Sequence, residues 1–592
     1  MSCDKLVYDL SQEVDGSPNV FIKKDWINIL DNQNGNYNSN QSVIDTSQLS
    51  NSNKYMSYRE AYLEVPMLLT LSSNNATASI AAIDLAPNTT GTSADFAVGL
   101  KNWFGQIVHS FTLDYNGTTI IQQTPYINMW NSFKLMTSLS WGDVITTGST
   151  IGFYPDDPLS WTFNAAASRD GQGVCNNTNI VTSSQGVASV QLFNQYNSGA
   201  GNIGFQKRQM YINYDTAGDS GDGTFADIFT ATQAQNLWKS YVSKKQNAVA
   251  ATSQGVFQIS IMATIYLKHI HSFFQMCPLL KGVFMKMTLN LNNCSTTFTK
   301  TLTTGVLTLV SVSNAVGGVN PVMVASGVTG NGGALSFGSS VAPASTASFI
   351  TNLSVGATCL DATLTSNATT YPIGTGTLGR SVLLYVPAYT FNPIFEQAYI
   401  SNPIKQIKYT DVYQYQVINI PANTGTFNNL LTNGIANIKS VLLLPFYSAT
   451  GASTGLPTGI PVYQSPFDPA GTGCTSPLCL LTNFNVVVSG QNTIYNTERY
   501  AFEQFNNQLY GVNAVNGGCT DGLTSALFNS LGFEMEYTYY YVDVSRMLPV
   551  EESVPKSVQV VGTNASNKAI DLWCFIEYGV SVDIDLLTGS RV

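Results

Sequence analysis

Residues Phe111–Met136 read FTLDYNGTTIIQQTPYINMWNSFKLM, and the first half of this stretch predicts a β-hairpin. Its opening residues alternate between large apolar and smaller or polar side chains, as in a half-buried strand. Asn116-Gly117 is the pair that best tolerates positive φ at both centres of a type I′ turn. Thr118–Ile121 then begin the return strand.

The second half of the stretch predicts an amphipathic helix. Thr124 is expected to cap its N-terminus, and Pro125 suits the first helical position, where a missing N–H has no cost. The following apolar residues recur every three or four positions and form one face: Tyr126, Met129 or Trp130, Phe133 and Met136.

The same unit occurs again at Phe484–Leu509, FNVVVSGQNTIYNTERYAFEQFNNQL. Here Ser489-Gly490 is the expected turn and Thr497 the expected cap. The apolar face comprises Phe502, Phe505 and Leu509, and Ile120 and Tyr126 match Ile494 and Tyr500 at one constant offset.

An earlier pair of segments also matches. REAYLEVP at 59–66 resembles RSVLLYVP at 380–387, and the two units occur in the same order in each half. This order indicates a duplicated β domain. We expect residues of about 50–295 and 300–592 to superpose, with Tyr126 and Tyr500 beginning equivalent helices.

The composition favours a loop-rich β protein of more than one domain. The chain has 592 residues, of which 44% are apolar and only 10% are charged, against a usual charged fraction of about 25%. So few charges indicate a surface that is largely covered by partners, or a loop-rich protein with uncharged polar faces. The net charge of −10 argues against general nucleic-acid binding.

The N-terminal 50 residues predict an arm held by neighbouring molecules. They are polar and turn-rich apart from Val20–Leu30, and up to Asp25 acidic residues outnumber the lysines. Specific DNA binding by a basic arm is therefore not expected. We find no signal-peptide pattern and no apolar run of about 18 residues, so reduced cysteines and no transmembrane helix are expected.

Two long excursions interrupt the strands, at 154–255 and 448–476. The first carries a predicted helix over 225–245, capped by Thr224, with Trp238 and Tyr241 on its apolar face and Lys244 and Lys245 near its end. Loops that leave one end of a sandwich cluster together, so both excursions are expected to form one outward layer. A lone amphipathic helix must bury its apolar face, which predicts that 225–245 packs near a subunit contact.

Catalytic and metal-binding patterns are weak. His269 and His271 would share one face of a strand, but no third ligand is spaced nearby, so a packed pair is the simpler reading. Cys474 and Cys479 form one loop pair without a second, which makes a weak zinc pattern. Asp156-Asp157 could serve glycoside chemistry, although YPDDP is also a turn. No phosphate-binding loop, nucleotide fingerprint or nucleophile elbow is present, so we expect no enzyme and no cofactor.

The opening segment carries a family resemblance. FIKKDWINILDNQNGNY, QSVIDTSQL and YMSYREAYLEVPMLL, followed by two β domains with helices after matched hairpins, resemble the double jelly-roll major capsid proteins of virophages and Polinton-like viruses. The resemblance implies an all-β fold of two tandem eight-stranded jelly-roll β-sandwiches with long loop insertions and a few short helices. The expected divisions are an arm at 1–50, a first jelly roll at 51–297 and a second at 298–592.

The resemblance also implies a function and partners. Such a chain forms a homotrimeric, pseudo-hexameric capsomer of an icosahedral double-stranded DNA virus, assembled in the host cytoplasm or virus factory. Its partners would be neighbouring capsomers, a penton protein and minor capsid proteins, with membrane or host-surface contact left open. Phe21 and Trp26 of the arm, and Trp238 and Tyr241 of the excursion, are the expected trimer or inter-capsomer contacts.

Two other readings stay open from the sequence. A multi-domain β protein that binds glycans, such as an adhesin or fibre, has a similar composition. A glycoside hydrolase would need Asp156 or Asp157 for turnover. A stable trimer in solution distinguishes the capsid reading from a monomeric glycan binder.

Overall fold

The computed structural model describes most residues between 19 and 591. The positions outside this description are 1–18, 36, 38, 51, 74–95, 157–203, 205–207, 209–241, 248–255, 302–306, 315, 327–345, 357–380, 449–459, 468–472, 477–478, 495–499, 516–526, 536, 547–548, 587–590 and 592.

The described chain is built mainly from antiparallel strands, which confirms the all-β prediction. Those before residue 400 are β1 (Phe21–Leu30), β2 (Gln41–Asp45), β3 (Tyr55–Met56), β4 (Tyr62–Ser73), β5 (Phe96–Leu100), β6 (Val108–Tyr115), β7 (Thr118–Ile121), β8 (Val242–Asn247), β9 (Val256–Tyr266), β10 (Met285–Leu291), β11 (Cys294–Thr301), β12 (Leu307–Asn314), β13 (Val322–Ser326), β14 (Thr346–Val355) and β15 (Leu383–Phe391). Those after it are β16 (Ile404–Ile420), β17 (Gly425–Ile435), β18 (Ile438–Tyr447), β19 (Leu481–Val488), β20 (Gln491–Asn492), β21 (Tyr540–Asp543), β22 (Lys556–Asn564) and β23 (Ile570–Asp585).

The described helices are short and lie between strands. They are α1 (Ile127–Ser138), α2 (Trp141–Ile151), α3 (Leu267–Ile270), α4 (Ser272–Met276), α5 (Pro393–Ile400), α6 (Phe502–Val515), α7 (Ser530–Met535) and α8 (Pro549–Glu552).

The strands form two sandwiches with the same topology. In the N-sandwich, sheet I contains β1–β15–β4–β9 and sheet II contains β2–β10–β6–β7. In the C-sandwich, sheet III contains β16–β23–β18–β21 and sheet IV contains β17–β22–β19–β20. The eight strands of each sandwich follow one another in the same chain order and occupy the same sheet positions, which is the jelly-roll pattern of two packed four-stranded sheets.

Period-two alternation explains how each sandwich closes around a core. Leu63, Val65 and Met67 of β4 are buried on the inner face of sheet I, whereas Tyr62 and Glu64 point to the outer face and are partly exposed. The same rule orders sheet III. Tyr540 packs on Phe484 of sheet IV at a ring distance of 5.1 Å, so its neighbour Tyr541 faces outward.

The predicted domain limits need correction at the N-terminus. Residues 21–45 are not an arm, because β1 pairs with β15 and β2 pairs with β10 over most of their lengths. The apolar residues in Val20–Leu30 are explained by β1, which is a strand of sheet I. Only residues 1–18 of the predicted arm remain, and they lie outside the described residues.

The predicted limit at 297/298 is also wrong. Sheet I is completed by β15, which pairs with β1 on one side and with β3 and β4 on the other. β14 extends the same sheet by pairing with the far half of β4. The N-sandwich therefore runs from residue 21 to 391 with an insertion between β10 and β15, and the C-sandwich runs from 404 to 586.

This arrangement explains a misleading match between the segments REAYLEVP and RSVLLYVP. Leu63 and Leu384 are direct partners across β4 and β15, so the two segments are neighbours in one sheet rather than equivalents in two. Both strands place alternate apolar residues on the inner face of sheet I, which accounts for the matched leucines and valines.

The hairpin–helix repeat, in contrast, is confirmed. Asn116 and Gly117 have φ of 46° and 80°, and Ser489 and Gly490 have φ of 50° and 80°. In each sandwich the turn joins equivalent strands, β6 to β7 and β19 to β20, and a helix follows. The proposed cap is wrong, because Tyr126 occupies the N-cap position and the hydroxyl of Thr124 donates instead to Val412 O at 2.8 Å. Thr497 lies outside the described residues.

The excursions leave the same end of both sandwiches. The first lies between β7 and β9, and the second between β18 and β19; in a jelly roll both connections are at one end. The predicted helix over 225–245 is corrected at its end, where Lys244 and Lys245 lie in β8, paired with β9. Thr224, Trp238 and Tyr241 lie outside the described residues.

Candidate assembly surfaces

The two sandwiches are joined by helix α1, which covers the outer face of sheet III. Phe133 is fully buried, and its ring lies 5.6 Å from that of Tyr541. Trp130 lies 6.1 Å from Phe575, and Tyr126 lies 5.8 Å from Trp573. A helix of the N-sandwich thus completes the packing of a sheet in the C-sandwich.

One ion pair lies within this apolar contact. Lys134 Nζ is 3.3 Å from Glu577 Oε1, and Ser440 Oγ donates to Glu577 Oε2 at 2.8 Å. Burial opposes ionisation of Glu577, but the Lys134 ammonium and hydrogen bonds from Ser440 and Thr410 outweigh it and lower the pKa of the carboxyl. The contact therefore fixes the lateral position of α1 on the sheet as well as excluding water from it.

Hydrogen bonds along β16 extend the junction. Tyr409 Oη donates to Ile120 O at 2.7 Å, and Ser272 Oγ donates to Thr410 O at 2.5 Å. His271 Nε2 lies 3.4 Å from Asp411 Oδ1, with both side chains buried. These bonds attach the β7 and α4 ends of the N-sandwich to one strand of the C-sandwich, so the two sandwiches form a single packed body.

The loop layer also joins the sandwiches. Lys101 is fully buried and donates from Nζ to Ser465 O at 2.8 Å. Val324 N of β13 donates to Pro466 O at 2.8 Å. Loops from both sandwiches therefore meet at the described part of 448–476. Neither Lys101 nor Val324 belongs to the excursion 154–255, so the shared layer of the two excursions stays a prediction.

Among the described residues, the equivalent outer face of sheet I is left partly exposed. It carries an aromatic row in which the ring of Tyr62 lies 5.7 Å from Trp26, 5.0 Å from Tyr385 and 5.7 Å from Tyr266. Trp26 is 51% exposed, and the three tyrosines are half-buried. We call this surface, formed by Trp26, Tyr62, Tyr266 and Tyr385, the aromatic face.

Apolar and cationic groups surround the aromatic face. Leu30, on the same side of β1 as Trp26, is 56% exposed, and Ile22, at the irregularity near the start of β1, is 66% exposed. Lys24 Nζ lies 5.4 Å from the Trp26 ring centre and forms an ion pair with Glu60 at 2.5 Å. Lys268 Nζ lies 5.3 Å from the Tyr266 ring centre. The outer face of β4 also carries Glu64 next to Tyr62. Trp and Tyr are enriched at protein–protein interfaces, so the aromatic face is a candidate contact surface.

The sequence-predicted contact residues have different positions. Trp26 is at the aromatic face, and Phe21 is half-buried at the start of β1, where its ring lies 4.7 Å from that of Tyr389 and 4.8 Å from that of Phe391. Trp238 and Tyr241 are outside the described residues. Tyr62, Tyr266 and Tyr385, the other members of the aromatic face, were not singled out from the sequence. A signal for them was present, because each is a tyrosine on the outward phase of a buried strand.

The candidate catalytic and metal ligands are dispersed. His269 and His271 lie in the α3–α4 segment rather than on a strand, and burial lowers the pKa of His269 to about 4. Asp156 is buried in an ion pair with Arg208 at 2.5 Å, and Asp157 is outside the described residues. Cys474 and Cys479 are buried, and among the described residues neither forms a disulfide. Over the described ranges no cluster of three metal-ligating side chains occurs.

Two further observations describe the surfaces. A cleft of about 430 Å³ lies between α1, the α3–α4 segment and β16, with Lys134, Lys268 and His271 in its walls.

Within the part of the chain that the structure describes, no helix is long and apolar enough to cross a membrane.

Several solved viral structures are similar to this chain. A chain of the Sputnik virophage structure is 12% identical and has a TM-score of 0.47, covering 98% of this chain and 91% of its own. The mavirus major capsid protein is 11% identical with a TM-score of 0.42, covering 99% of this chain and 92% of its own. The Faustovirus major capsid protein is 8% identical with a TM-score of 0.41, covering 98% and 94%. No family model and no curated protein matches the sequence.

Proposed function

We propose that this chain is a major capsid protein that trimerises into pseudo-hexameric capsomers of an icosahedral double-stranded DNA virus. The observation that carries the proposal is the pair of topologically identical sandwiches locked side by side through α1. Such a chain presents two similar building units at a fixed angle, so three copies can supply six units around one axis. The loops of both units meet in one layer, which would form one surface of the capsomer.

The uncovered aromatic face supports assembly. Large contiguous apolar patches are rare on monomers and mark interaction sites. Because the equivalent face of sheet III is buried within the chain, a second copy is the simplest partner for the face of sheet I. In the shell, we expect contacts with neighbouring capsomers, a penton protein and minor capsid proteins, and a location in the virion after assembly in the host cytoplasm or virus factory.

The mass of the purified protein in solution tests the proposal. Light scattering coupled to size-exclusion chromatography should give three times the 63.8 kDa of the chain, and negative-stain images should show particles with a near-hexagonal outline. A monomer at micromolar concentration that binds glycans would instead support the adhesin or fibre reading. The predicted helix over 225–245 remains part of this proposal, with weaker trimers expected for Trp238→Ala.

A further inference from the structure

The cleft at the sandwich junction has the size and the position of a small-molecule site. It lies between α1, the α3–α4 segment and β16, so both sandwiches contribute to its walls. Its volume of about 430 Å³ falls within the range of roughly 300–1,000 Å³ that is usual for ligand pockets. Such pockets form preferentially where two domains meet, as they do here.

The ionisable side chains in the described lining of this cleft are all basic. They are Lys134, Lys268, His269 and His271, and the described lining contains no Asp or Glu. The whole chain has 26 lysines and arginines against 36 acidic residues, and it has only three histidines. Two of the three histidines therefore line one cleft of an acidic protein, together with two lysines.

Two of these basic groups are engaged with carboxylates behind the wall. Phe273 N donates to His271 Nδ1 at 3.2 Å, so Nε2 carries the proton and faces Asp411 Oδ1 at 3.4 Å. Lys134 Nζ lies 3.3 Å from Glu577 Oε1. An ammonium group has three N–H donors, so this ion pair leaves the Lys134 ammonium able to bond to a group in the cleft as well.

The other polar groups lack such partners. Asn131 is only 6% exposed, yet its side chain forms no hydrogen bond with any residue that the structure describes. Buried amides are normally bonded, so this one calls for a partner within the cleft. Within the described ranges, the Lys268 ammonium contacts only the Tyr266 ring, at 5.3 Å from the ring centre.

His269 adds a further donor beside Lys268. Its ring packs 6.1 Å from that of Tyr266, and neither ring nitrogen bonds to a described residue. Burial, and then the nearby Lys268 ammonium, lower the pKa of His269 to about 4. The imidazole is therefore neutral near pH 7 and offers one N–H donor.

The rest of the wall is apolar. Its buried apolar residues are Ile127, Trp130, Leu135, Ile270 and Val412. An inorganic anion would leave this surface in contact with water, whereas an apolar group placed against it would remove that surface from water. The two kinds of wall together favour a ligand with an acidic group and an apolar body.

From this geometry we propose that the cleft binds a small organic anion, in which a carboxylate or phosphate group is carried on an apolar body. The acidic group bonds to Lys268, Asn131 and His269, and the apolar body lies against Trp130 and Ile270. A bound ligand touches α1 and β16 at once and so stabilises the junction between the sandwiches. The inference goes beyond the proposed function and does not depend on the trimer.

Isothermal titration calorimetry of the full-length protein tests the site. Octanoate and phenyl phosphate carry both an anionic group and an apolar body, whereas octan-1-ol lacks the anion and inorganic phosphate lacks the apolar body. We expect a Kd below about 1 mM for octanoate and phenyl phosphate. Octan-1-ol and inorganic phosphate should bind at least about 10-fold more weakly, because each loses one of the two sets of contacts.

Two variants test the residues. Lys268→Met removes the ammonium group and keeps an apolar stem, and Asn131→Leu removes the amide at similar volume. Each should weaken octanoate binding about 10-fold, the usual loss for one hydrogen bond to a charged group, without lowering the melting temperature measured in the absence of the probe. Lys286→Met is the matched control, because Lys286 is exposed on β10 and does not line the cleft. Its affinity for octanoate should equal that of the parent protein.

Each contrary outcome has a definite meaning. Octanoate that binds equally well to the parent and to Lys268→Met, or octan-1-ol that binds as tightly as octanoate, would overturn the assignment of an anion. Inorganic phosphate that binds as tightly as phenyl phosphate would overturn the apolar body. If neither octanoate nor phenyl phosphate binds, the cleft holds only water and the whole inference fails. The mass of the particle in solution should be the same with and without each probe, so these results leave the proposed function untouched.

Discussion

The outer faces of sheets I and III occupy equivalent positions in the two sandwiches, but they differ in solvent exposure. Among the described residues, α1 buries aromatic side chains of sheet III, whereas those of sheet I are partly exposed. On sheet III, Trp573 is 3% exposed and Phe575 is fully buried under α1. On sheet I, Trp26 is 51% exposed. The difference follows from connectivity, because β7 leads directly into a helix that reaches the next sandwich of the same chain. Sheet I has no such helix over its outer face among the described residues.

We expect the largest loss of stability from a substitution on the outer face of sheet III, which α1 covers. Trp573→Ala should lower the free energy of unfolding by roughly 3–5 kcal/mol, because it opens a cavity between sheet III and the residues packed over it. Urea-induced unfolding, followed by tryptophan fluorescence and by circular dichroism, measures the loss. A parent-like midpoint would show that α1 does not pack closely on this sheet.

The ion pair between Lys134 and Glu577 should contribute less to the free energy of unfolding than the apolar contact under α1. Lys134→Ala leaves the buried carboxylate of Glu577 without its ammonium partner and should cost about 1–3 kcal/mol. Lys439→Ala is the matched control, because its partner Glu552 is 42% exposed and 3.6 Å away. We expect at most about 0.5 kcal/mol for this surface pair. Equal losses in both variants would show that burial does not strengthen the Lys134 pair.

The lowered pKa of Glu577 gives this pair a pH signature. A carboxyl whose folded-state pKa lies below its ordinary value of 4.5 contributes its full stability above that value. The contribution is lost as the pH falls below 4.5 and through the folded-state pKa. The difference in melting temperature between the parent protein and Glu577→Gln should therefore be constant near neutral pH and shrink on acidification. A difference in melting temperature that grows below pH 4.5 would contradict the lowered pKa of Glu577.

The two hairpin turns should respond alike, since they occupy equivalent positions. Gly117 and Gly490 both have φ of 80°, and a Cβ added at either would meet no atom within 4 Å. Gly→Ala at each turn should therefore lower the free energy of unfolding by about 1–2 kcal/mol, because a residue with a Cβ is strained in the left-handed conformation. No steric clash should add to this loss. Thermal melts of the two single variants should agree within error. A clear inequality would mean that one turn is supported by a neighbour.

The smallest effect is expected on the uncovered face. Trp26→Ala should change the stability of the isolated chain by no more than about 0.5 kcal/mol, since half of the side chain already contacts water. Measurement at a concentration below assembly separates this effect from any loss of trimer. A large loss in the monomer would show that the aromatic row stabilises sheet I itself.

Local signals in the sequence were reliable, and long-range ones were not. Asn116-Gly117 determines its turn through its own backbone preferences, so the hairpin was predictable. The N-cap of α1 was not predictable, because the hydroxyl of Thr124 donates across the sandwich junction to the carbonyl of Val412. The limit near 298 failed because the sequence alone does not reveal that β1 pairs with a strand more than 350 residues later.

The aromatic face was predictable only in part. Trp26 was predicted to be a contact residue on the assumption of an arm, but it lies on β1, an edge strand of sheet I, where it is 51% exposed. The aromatic row depends on register between β4, β9 and β15, which period-two patterns do not specify between distant segments.

The late closure of sheet I has a consequence for biosynthesis. β1 and β4 emerge from the ribosome early, but β15, the strand between them, is translated only after Ser381. At about 5–20 residues per second, these strand edges remain unpaired for tens of seconds on each nascent chain. Unpaired edges invite aggregation, so a cell that produces many copies at once must shield them. Ribosome-bound chains truncated before β15 should accordingly associate with chaperones, and chains that extend past β15 should be released.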